Sequence, residues 1–398
     1  MRILALTNLY PNPFQPTRAT FNRQQFRALA ARHAVEVISP ISWVDEFAAR
    51  RKGAPALPRN RQVVCDGIHV THPRYIYPPK ILRSRYGHFF RCSVQPAFQR
   101  SCAEFKPDIV LAPWAYPDGW AAVELSKQAG VPVVIKVHGC DILGAGAGLD
   151  GDPPRKRRTV DALQRADGVI AVSRHLAETM VGMGVSGDKI RVVYDGIDPS
   201  VFYPAPVAEA RARLGLPLDT PMILFIGNLV PVKGIETLLG ACARLAQNGV
   251  PFTANLIGQG PLKSKLESQI RRLGLTDRVR LLGGLPHAQL GTWFRAASVF
   301  ALPSYSEGVP SVLLESAACG TPFVASRVGG IPEITHLAPN RLVAPGDSAA
   351  FADALVASFS TRGTAPTRTP PPIWAESADA LARAFESLVR PAERLLTR

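Results

Sequence analysis

The sequence predicts an α/β protein of two doubly wound domains, each a parallel sheet covered by helices on both faces. Three observations predict it. The chain has 398 residues, too many for one ordinary hydrophobic core. Short apolar runs alternate with stretches of helical spacing, the order that lays helices over a parallel sheet. The alternation pauses in a turn-rich stretch, DGIDPSVFYPAP (195–206), and then restarts.

The elements follow in order. RILALT is a short buried strand stopped sharply by NLYPNPFQP. FNRQQFRALAARH spaces its apolar residues as a helix does, and AVEVISP is the second strand. PDIVLAP, GWAAVELSKQAG and VPVVIKVHG repeat strand, helix, strand. A helix around 155–166, the strand GVIAVS, another helix and the strand IRVVY complete the first set. After the pause, PMILFIGNLV, GIETLLGACARLAQNG and FTANLIGQGP again read strand, helix, strand. LKSKLESQIRRLG, VRLLGG, AQLGTWFRAAS and VFALPS continue the series, and PFVAS is a further strand. The segment 361–372 is a loop by composition, and a last helix begins at IWAESADALARAF. The expected division is 1–203, 204–373 and a final helical segment, 374–398. Open sheets of this kind bind ligands at the carboxyl ends of their strands, so two of them facing one another imply a cleft.

Composition narrows the function. No window holds eighteen continuous apolar residues, so no membrane-spanning helix is expected. The first apolar run is too short for a signal peptide. Six cysteines carry no CxxC pair and no metal-ligand spacing, which fits reduced thiols. No GxGxxG follows the first strand, which speaks against a dinucleotide oxidoreductase. The net charge is +15, and residues 51–100 hold ten basic residues against one acid, Asp66. There, PRYIYPPKILRSRYGHFFRCS interleaves arginines with aromatic rings. That pattern suits an anionic membrane surface, an anionic lipid-linked substrate, nucleic acid, or a merely solvated basic face. Nucleic acid is the weakest of these, because no nucleic-acid-binding motif is present.

The stretch SEGVPSVLLESAACGTP (306–322) carries only two charges, Glu307 and Glu315, set in an apolar run. Pro310 suits a first helical turn, and Gly320 with Pro322 suits its end. Glu307 then lies in the loop after a strand and Glu315 on the second turn. The free amides around Ser311 and Val312 form an anion site between them.

The run PSYSEGVPSVLLESAACGTPFVASRVGGIPE (303–333) resembles the signature of glycosyltransferase family 4, the retaining GT-B enzymes. IGNLVPVKG, LIGQGPL, KVHGCDI, VVYDGIDPSVFYP and the C-terminal tryptophan helix are similar to further landmarks of that family, in the same order. The openings TNLYP and GNLVPVKG look closest to members that build teichuronic-acid-type surface polysaccharides. The resemblance implies a GT-B fold of two Rossmann-like domains facing across a cleft, with the last helix crossing back onto the first. It implies a nucleotide-diphosphate sugar as donor and no other cofactor. Lys233 and the amides of Ser311 and Val312 would meet the diphosphate, with Asn228, Gly308 and Val309 beside them. Glu315 would take the ribose hydroxyls and Glu307 those of the transferred sugar. His138 would approach that sugar near the breaking bond. Gly258, Gly260, Gly284 and Leu285 would frame the base. His138, Glu307 and Lys233 are thus the catalytic candidates. No metal is expected.

Three departures from the family pattern stand out. Asn228 replaces its arginine, Pro310 replaces a glycine, and YPNPFQPTRATF replaces its glycine-rich first loop. Arg18 and Thr20 are the candidates for reaching the donor from that loop. The implied reaction is metal-independent, retaining sugar transfer to a lipid-linked or cell-surface glycan. Its implied place is cytoplasmic, peripheral on the inner face of the cytoplasmic membrane. A nucleotide-sugar epimerase or hydrolase of the same fold, and a non-catalytic sugar-nucleotide sensor, are the alternatives.

Overall fold

The structure is a computed structural model. It describes residues 1–82, 85–143, 149, 151–361 and 369–389. Most of the 361–372 loop, and the final helix beyond Val389, lie outside the described residues.

Two compact units are present. The first comprises Met1–Asp195 and the chain from Trp374; the second is Gly196–Ile373. The sequence-based division at 203 thus falls inside the second unit. In the first unit the order is β1 (Arg2–Leu6), α1 (Thr20–Ala30), β2 (Ala34–Ile38), β3 (Ile41–Ser42) and α2 (Trp43–Arg51). Next come β4 (Gln62–Cys65), β5 (Ile68–Thr71), β6 (Arg74–Tyr75), α3 (Tyr86–Glu104) and β7 (Ile109–Ala112). Then follow α4 (Trp120–Ala129), β8 (Val133–Val137), α5 (Pro153–Arg165), β9 (Gly168–Ala171), α6 (Arg174–Gly182) and β10 (Ile190–Val192).

These strands build a sheet of order β10-β9-β8-β7-β1-β2-β5-β4. It is parallel except for the antiparallel β4–β5 hairpin at one edge. Its central strands are buried along their whole length, as parallel strands covered on both faces must be. The window 51–100, read above only as a charge pattern, folds into that hairpin and the 19-residue α3.

The second unit runs α7 (Val207–Leu214), β11 (Met222–Ile226), α8 (Ile235–Gln247), β12 (Thr253–Ile257), α9 (Lys263–Arg272) and β13 (Val279–Gly283). It continues with α10 (His287–Ala296), β14 (Val299–Leu302), α11 (Ser311–Ala318), β15 (Phe323–Ser326), β16 (Asn340–Val343) and α12 (Ser348–Ser358). Its sheet, β13-β12-β11-β14-β15-β16, is parallel throughout. The last helix, α13 (Trp374–Val389), returns to the first unit. There Ala378, Leu381 and Phe385 are buried with Ile3, Phe26 and Leu29. Among the described residues, no helix is long and apolar enough to cross a membrane.

Candidate active site

In the second unit the candidates sit in loops leaving the carboxyl ends of parallel strands, or on α11, the helix that follows one of those loops. β11 ends at Ile226 and releases Gly227–Gly234; β12 releases Gly258–Gly260; β13 releases Gly284 and Leu285; β14 releases Ser304–Pro310. The loops are bonded to one another through their backbones. Leu229 donates to the Gln259 carbonyl at 2.8 Å and Tyr305 to the Val232 carbonyl at 2.8 Å. Gly330 donates to the Gly308 carbonyl at 2.9 Å. Such approaches need missing side chains. A Cβ on Gly258 would lie 1.8 Å from the Gly227 carbonyl oxygen, and one on Gly329 would lie 1.8 Å from that of Glu307. The glycines named from sequence thus act first as spacers that let one backbone lie against another.

Lys233 and Glu307 meet here. Lys233 Nζ donates to Glu307 Oε1 at 2.6 Å, and Ser304 Oγ donates to the same oxygen at 2.6 Å. Glu307 is buried and Lys233 half-buried. A carboxylate can be held here because an ammonium and a hydroxyl both satisfy it. The next turn begins α11, and one expectation is corrected there. Pro310 precedes the helix as its N-cap, in extended backbone, rather than occupying its first turn. A proline lacks a capping side chain, and no side chain caps this terminus. The helix also has no acid in its first turn, so its positive end remains uncompensated. Ser311 and Val312, which open the helix, are half-buried, whereas Gly308, Val309 and Pro310 are buried.

Glu315 lies one turn further on, buried, and accepts from His287 Nε2 at 3.0 Å. His287 opens α10 and packs edge-on against Phe202. Asn228 is exposed. Leu285 is half-buried, and Gly284 lies against the Gln259 side chain.

His138 belongs to the first unit, directly after β8. Asp141 fixes its turn by accepting from the backbone N–H of His138 at 3.0 Å and of Gly139 at 2.9 Å. The ring rests on Phe21, centroids 4.7 Å apart, with Nδ1 3.6 Å from Asp195 Oδ2. Asp195 Oδ1 accepts from buried Lys136 Nζ at 2.5 Å. Burial works against ionisation of Asp195, but the Lys136 ammonium and His138 hold its carboxyl far below the usual range. Asp118 is fully buried and accepts from Thr7 Oγ1 and the Asn8 N–H, both at 2.9 Å. Burial pushes its carboxyl up to about 7, against those two bonds and the field of Arg18.

Reading the sequence missed His287, Ser304, Lys136, Asp195 and Asp118 as site residues. Ser304 and Asp195 follow strands, Lys136 lies within β8, His287 opens α10 and Asp118 lies in the turn before α4. Among the described residues, no three His, Cys, Asp or Glu side chains cluster as a metal site would require.

Known proteins resemble this chain in sequence and in fold. The pattern of the family described as Glycosyltransferase Family 4 matches residues 19–201, and that of Glycosyl transferases group 1 matches 207–363. The chain is 30% identical over 369 residues to a putative teichuronic acid biosynthesis glycosyltransferase, TuaC, of Bacillus subtilis. That match covers 89% of this chain and 88% of the relative. It is 35% identical over 255 residues to a D-inositol 3-phosphate glycosyltransferase of Acidothermus cellulolyticus, covering 59% of this chain and 57% of that protein. Among solved structures, a sucrose-phosphate synthase from Thermosynechococcus elongatus superposes with a TM-score of 0.75 at 24% identity, covering 100% of this chain and 98% of that one. Anabaena Alr3699/HepE in complex with UDP-glucose superposes with a TM-score of 0.67 at 20% identity, covering 100% and 99%.

Proposed function

The chain belongs to glycosyltransferase family 4 and is a glycosyltransferase of GT-B fold; from that premise we propose that it moves a sugar from a nucleotide-diphosphate sugar, with retention and without a metal, to a lipid-linked or cell-surface glycan. The observation that carries this reading is the Lys233–Glu307–Ser304 group beside the uncapped start of α11. Chemically, such a group spans the junction of a sugar and a diphosphate. The ammonium and the helix amides offer positive charge to phosphate oxygens. The carboxylate offers acceptors to sugar hydroxyls, and its bond to Lys233 holds both groups ready before a donor arrives. Leaving-group charge is then met by Lys233 and the helix dipole. Glu315 serves the ribose hydroxyls, and His287 fixes its orientation. His138 addresses the transferred sugar, and retention follows from attack on the face the leaving group departs.

The purified chain is to be incubated with UDP-, GDP- and ADP-sugars, with and without membrane extract and with EDTA. Acceptor-dependent nucleotide release that survives EDTA, and a product of unchanged anomeric configuration by NMR, are expected. Release that ignores the acceptor would point instead to a hydrolase, and loss in EDTA would remove the metal-independent mechanism.

The acceptor side is read from the first unit. Exposed Trp43 and Phe47 stand one turn apart on α2, and Trp43 Nε1 bonds the Tyr77 carbonyl at 2.8 Å. That bond joins α2 to the segment carrying exposed Ile76, Ile81 and Leu82. Arg50, Arg51, Lys52 and Lys80 are exposed around it. Glu46 adds no free negative charge, since Arg61 and Arg74 both clamp it at 3.0–3.1 Å. Apolar side chains ringed by cations, with Asp45 the one other acid of α2, suit an anionic bilayer surface. Wild-type protein is expected to sediment with phosphatidylglycerol vesicles, and a variant with these four cations changed to Glu to remain in solution. Equal sedimentation would end the membrane reading.

A further inference from the structure

Lys233 reaches Glu307 from a turn that does little to hold itself. It ends the short 3₁₀ segment Pro231–Lys233, whose start carries no side-chain cap. The turn's backbone bonds run from the Lys233 N–H to the Val230 carbonyl at 3.1 Å and from the Gly234 N–H to that of Pro231 at 3.0 Å. Bonds of this 3₁₀ kind have poorer geometry than those of an α-helix. Lysine adds a flexible four-carbon stem, so where its ammonium stands depends on how the turn is pinned.

Tyr305 pins it. Its backbone N–H donates to the Val232 carbonyl at 2.8 Å, on the residue before Lys233. Its ring lies against Gly234, the residue after, where a Cβ would stand 3.5 Å from Cε2. Its hydroxyl shares a hydrogen bond with Thr237 Oγ1 at 3.3 Å, in the first turn of α8. Another ring edge lies against Gly346, in the turn that leads into α12. Gly234 has a φ of +61°, and a Cβ there would also stand 2.0 Å from the Pro303 carbonyl oxygen, so that position requires glycine. In its own loop Tyr305 follows Ser304, which bonds Glu307, and precedes Glu307 by two positions. One side chain thus brackets Lys233 on one loop while standing beside the carboxylate on the other. A ring placed to build the core would be buried, whereas Tyr305 is 50% exposed. With Asn228 standing where the family has an arginine, the proposed donor site leans on the ammonium that this ring aims.

We propose that Tyr305 is a positioning residue of the transfer reaction, clamping the Pro231–Gly234 turn on both sides of Lys233 and so setting where the ammonium meets the donor's diphosphate. The assignment rests on the glycosyl-transfer reading. Tyr305 acts through Lys233, so its loss counts only while the ammonium is there.

The test is a double-mutant cycle on the full chain. It is read by nucleotide release from UDP-, GDP- and ADP-sugars with membrane extract, and by binding of UDP, GDP, ADP and their nucleosides. Tyr305→Ala is expected to lower kcat/KM at least tenfold and to weaken nucleoside-diphosphate binding at least fivefold, while nucleoside binding changes less than twofold. Tyr305→Leu takes its place, with the same outcomes expected, should Tyr305→Ala fail to fold. Tyr305→Phe keeps the ring and is expected to stay within threefold of wild type in every readout. In a Lys233→Met background, Tyr305→Ala is expected to change each quantity less than twofold. A ring that only stabilised the fold would lower nucleoside and diphosphate binding together, and by the same factor in both backgrounds. That additive result, a Tyr305→Phe variant as weak as Tyr305→Ala, or a Tyr305→Ala variant within threefold of wild type overturns the assignment alone. A chain that neither binds a nucleoside diphosphate nor releases nucleotide from any of these sugars overturns the glycosyl-transfer reading, and the assignment with it.

Discussion

Glu307 is satisfied by two donors on one oxygen, so each neighbour has a separable role. Removing the ammonium in Lys233→Met is expected to lower kcat/KM for the donor by about 10²–10³, the usual loss when one preorganised charge stabiliser is deleted. Steady-state nucleotide release measures it, and a change below threefold would remove Lys233 from the catalytic group. Gly329→Ala leaves every charge in place yet forces a Cβ to 1.8 Å from the Glu307 carbonyl oxygen at a φ of +54°. It is expected to cost roughly 1–3 kcal/mol of stability and to depress turnover, whereas Ala at open Gly182, which has no positive φ, touches no neighbouring atom and leaves turnover unchanged.

Asp118 gives a pH signature whose sign is fixed. Its carboxyl titrates near 7 when folded and near the ordinary 3.8 when unfolded, so the folded state holds the extra proton between those values. Stability therefore falls as pH rises from about 4 to 7, and the loss persists above 7. At about 1.4 kcal/mol per unit the effect is bounded near 4 kcal/mol. Asp118→Asn is expected to flatten that slope in urea titrations at pH 4.5, 6 and 7.5; a parallel slope would contradict it.

At this scale the sequence offered residues rather than pairs. Lys233, Glu307 and His138 were candidates because each lies directly after a strand or in the loop that leaves one, and Glu315 because it lies on the second turn of the helix that follows such a loop. Their partners were not, because a contact such as Glu315–His287, 28 positions apart, is set by the neighbouring strand order and leaves no local pattern.

Among the elements, the parallel strands were the easiest to read, since burial on both faces writes them as unbroken apolar runs. Helix α3 was missed for the opposite reason. Its buried positions, Phe90, Val94, Phe98 and Ser101, do repeat at helical spacing, but Pro96 and the interspersed basic residues obscure the stripe. The α7 helix shows how one cation can anchor an element. Arg211 is buried and donates to the carbonyls of Ala296, Pro217, Leu218 and Thr220, and to Ser298 Oγ, at 2.6–3.0 Å. Arg211→Met removes all five bonds and strands those acceptors. A loss of about 3 kcal/mol or more is expected by chemical denaturation, and a loss under 1 kcal/mol would show that water replaces the guanidinium. In the first unit, Lys136 and Asp195 form a buried pair. Asp195→Leu alone is expected to cost about 3–5 kcal/mol, and Lys136→Met with Asp195→Leu distinctly less.

For the whole molecule, the two-unit organisation was readable from the restart of the strand–helix alternation, but the place of the break was not. The turn-rich stretch begins at 195, yet Ile197 already bridges Ile373 inside the second unit, its N–H bonding the Pro372 carbonyl at 2.9 Å. Entry and exit of that unit therefore run side by side, and the first unit is made of two pieces of chain. This has a consequence during synthesis. The ribosome must add Gly196–Ile373 before Trp374, Leu381 and Phe385 exist, which at cellular speeds takes roughly ten to forty seconds. For that interval the nascent first unit lacks the α13 side chains that cover Ile3, Phe26 and Leu29. The earlier-made half waits with an uncovered apolar face. That interval is when a nascent-chain chaperone has something to hold.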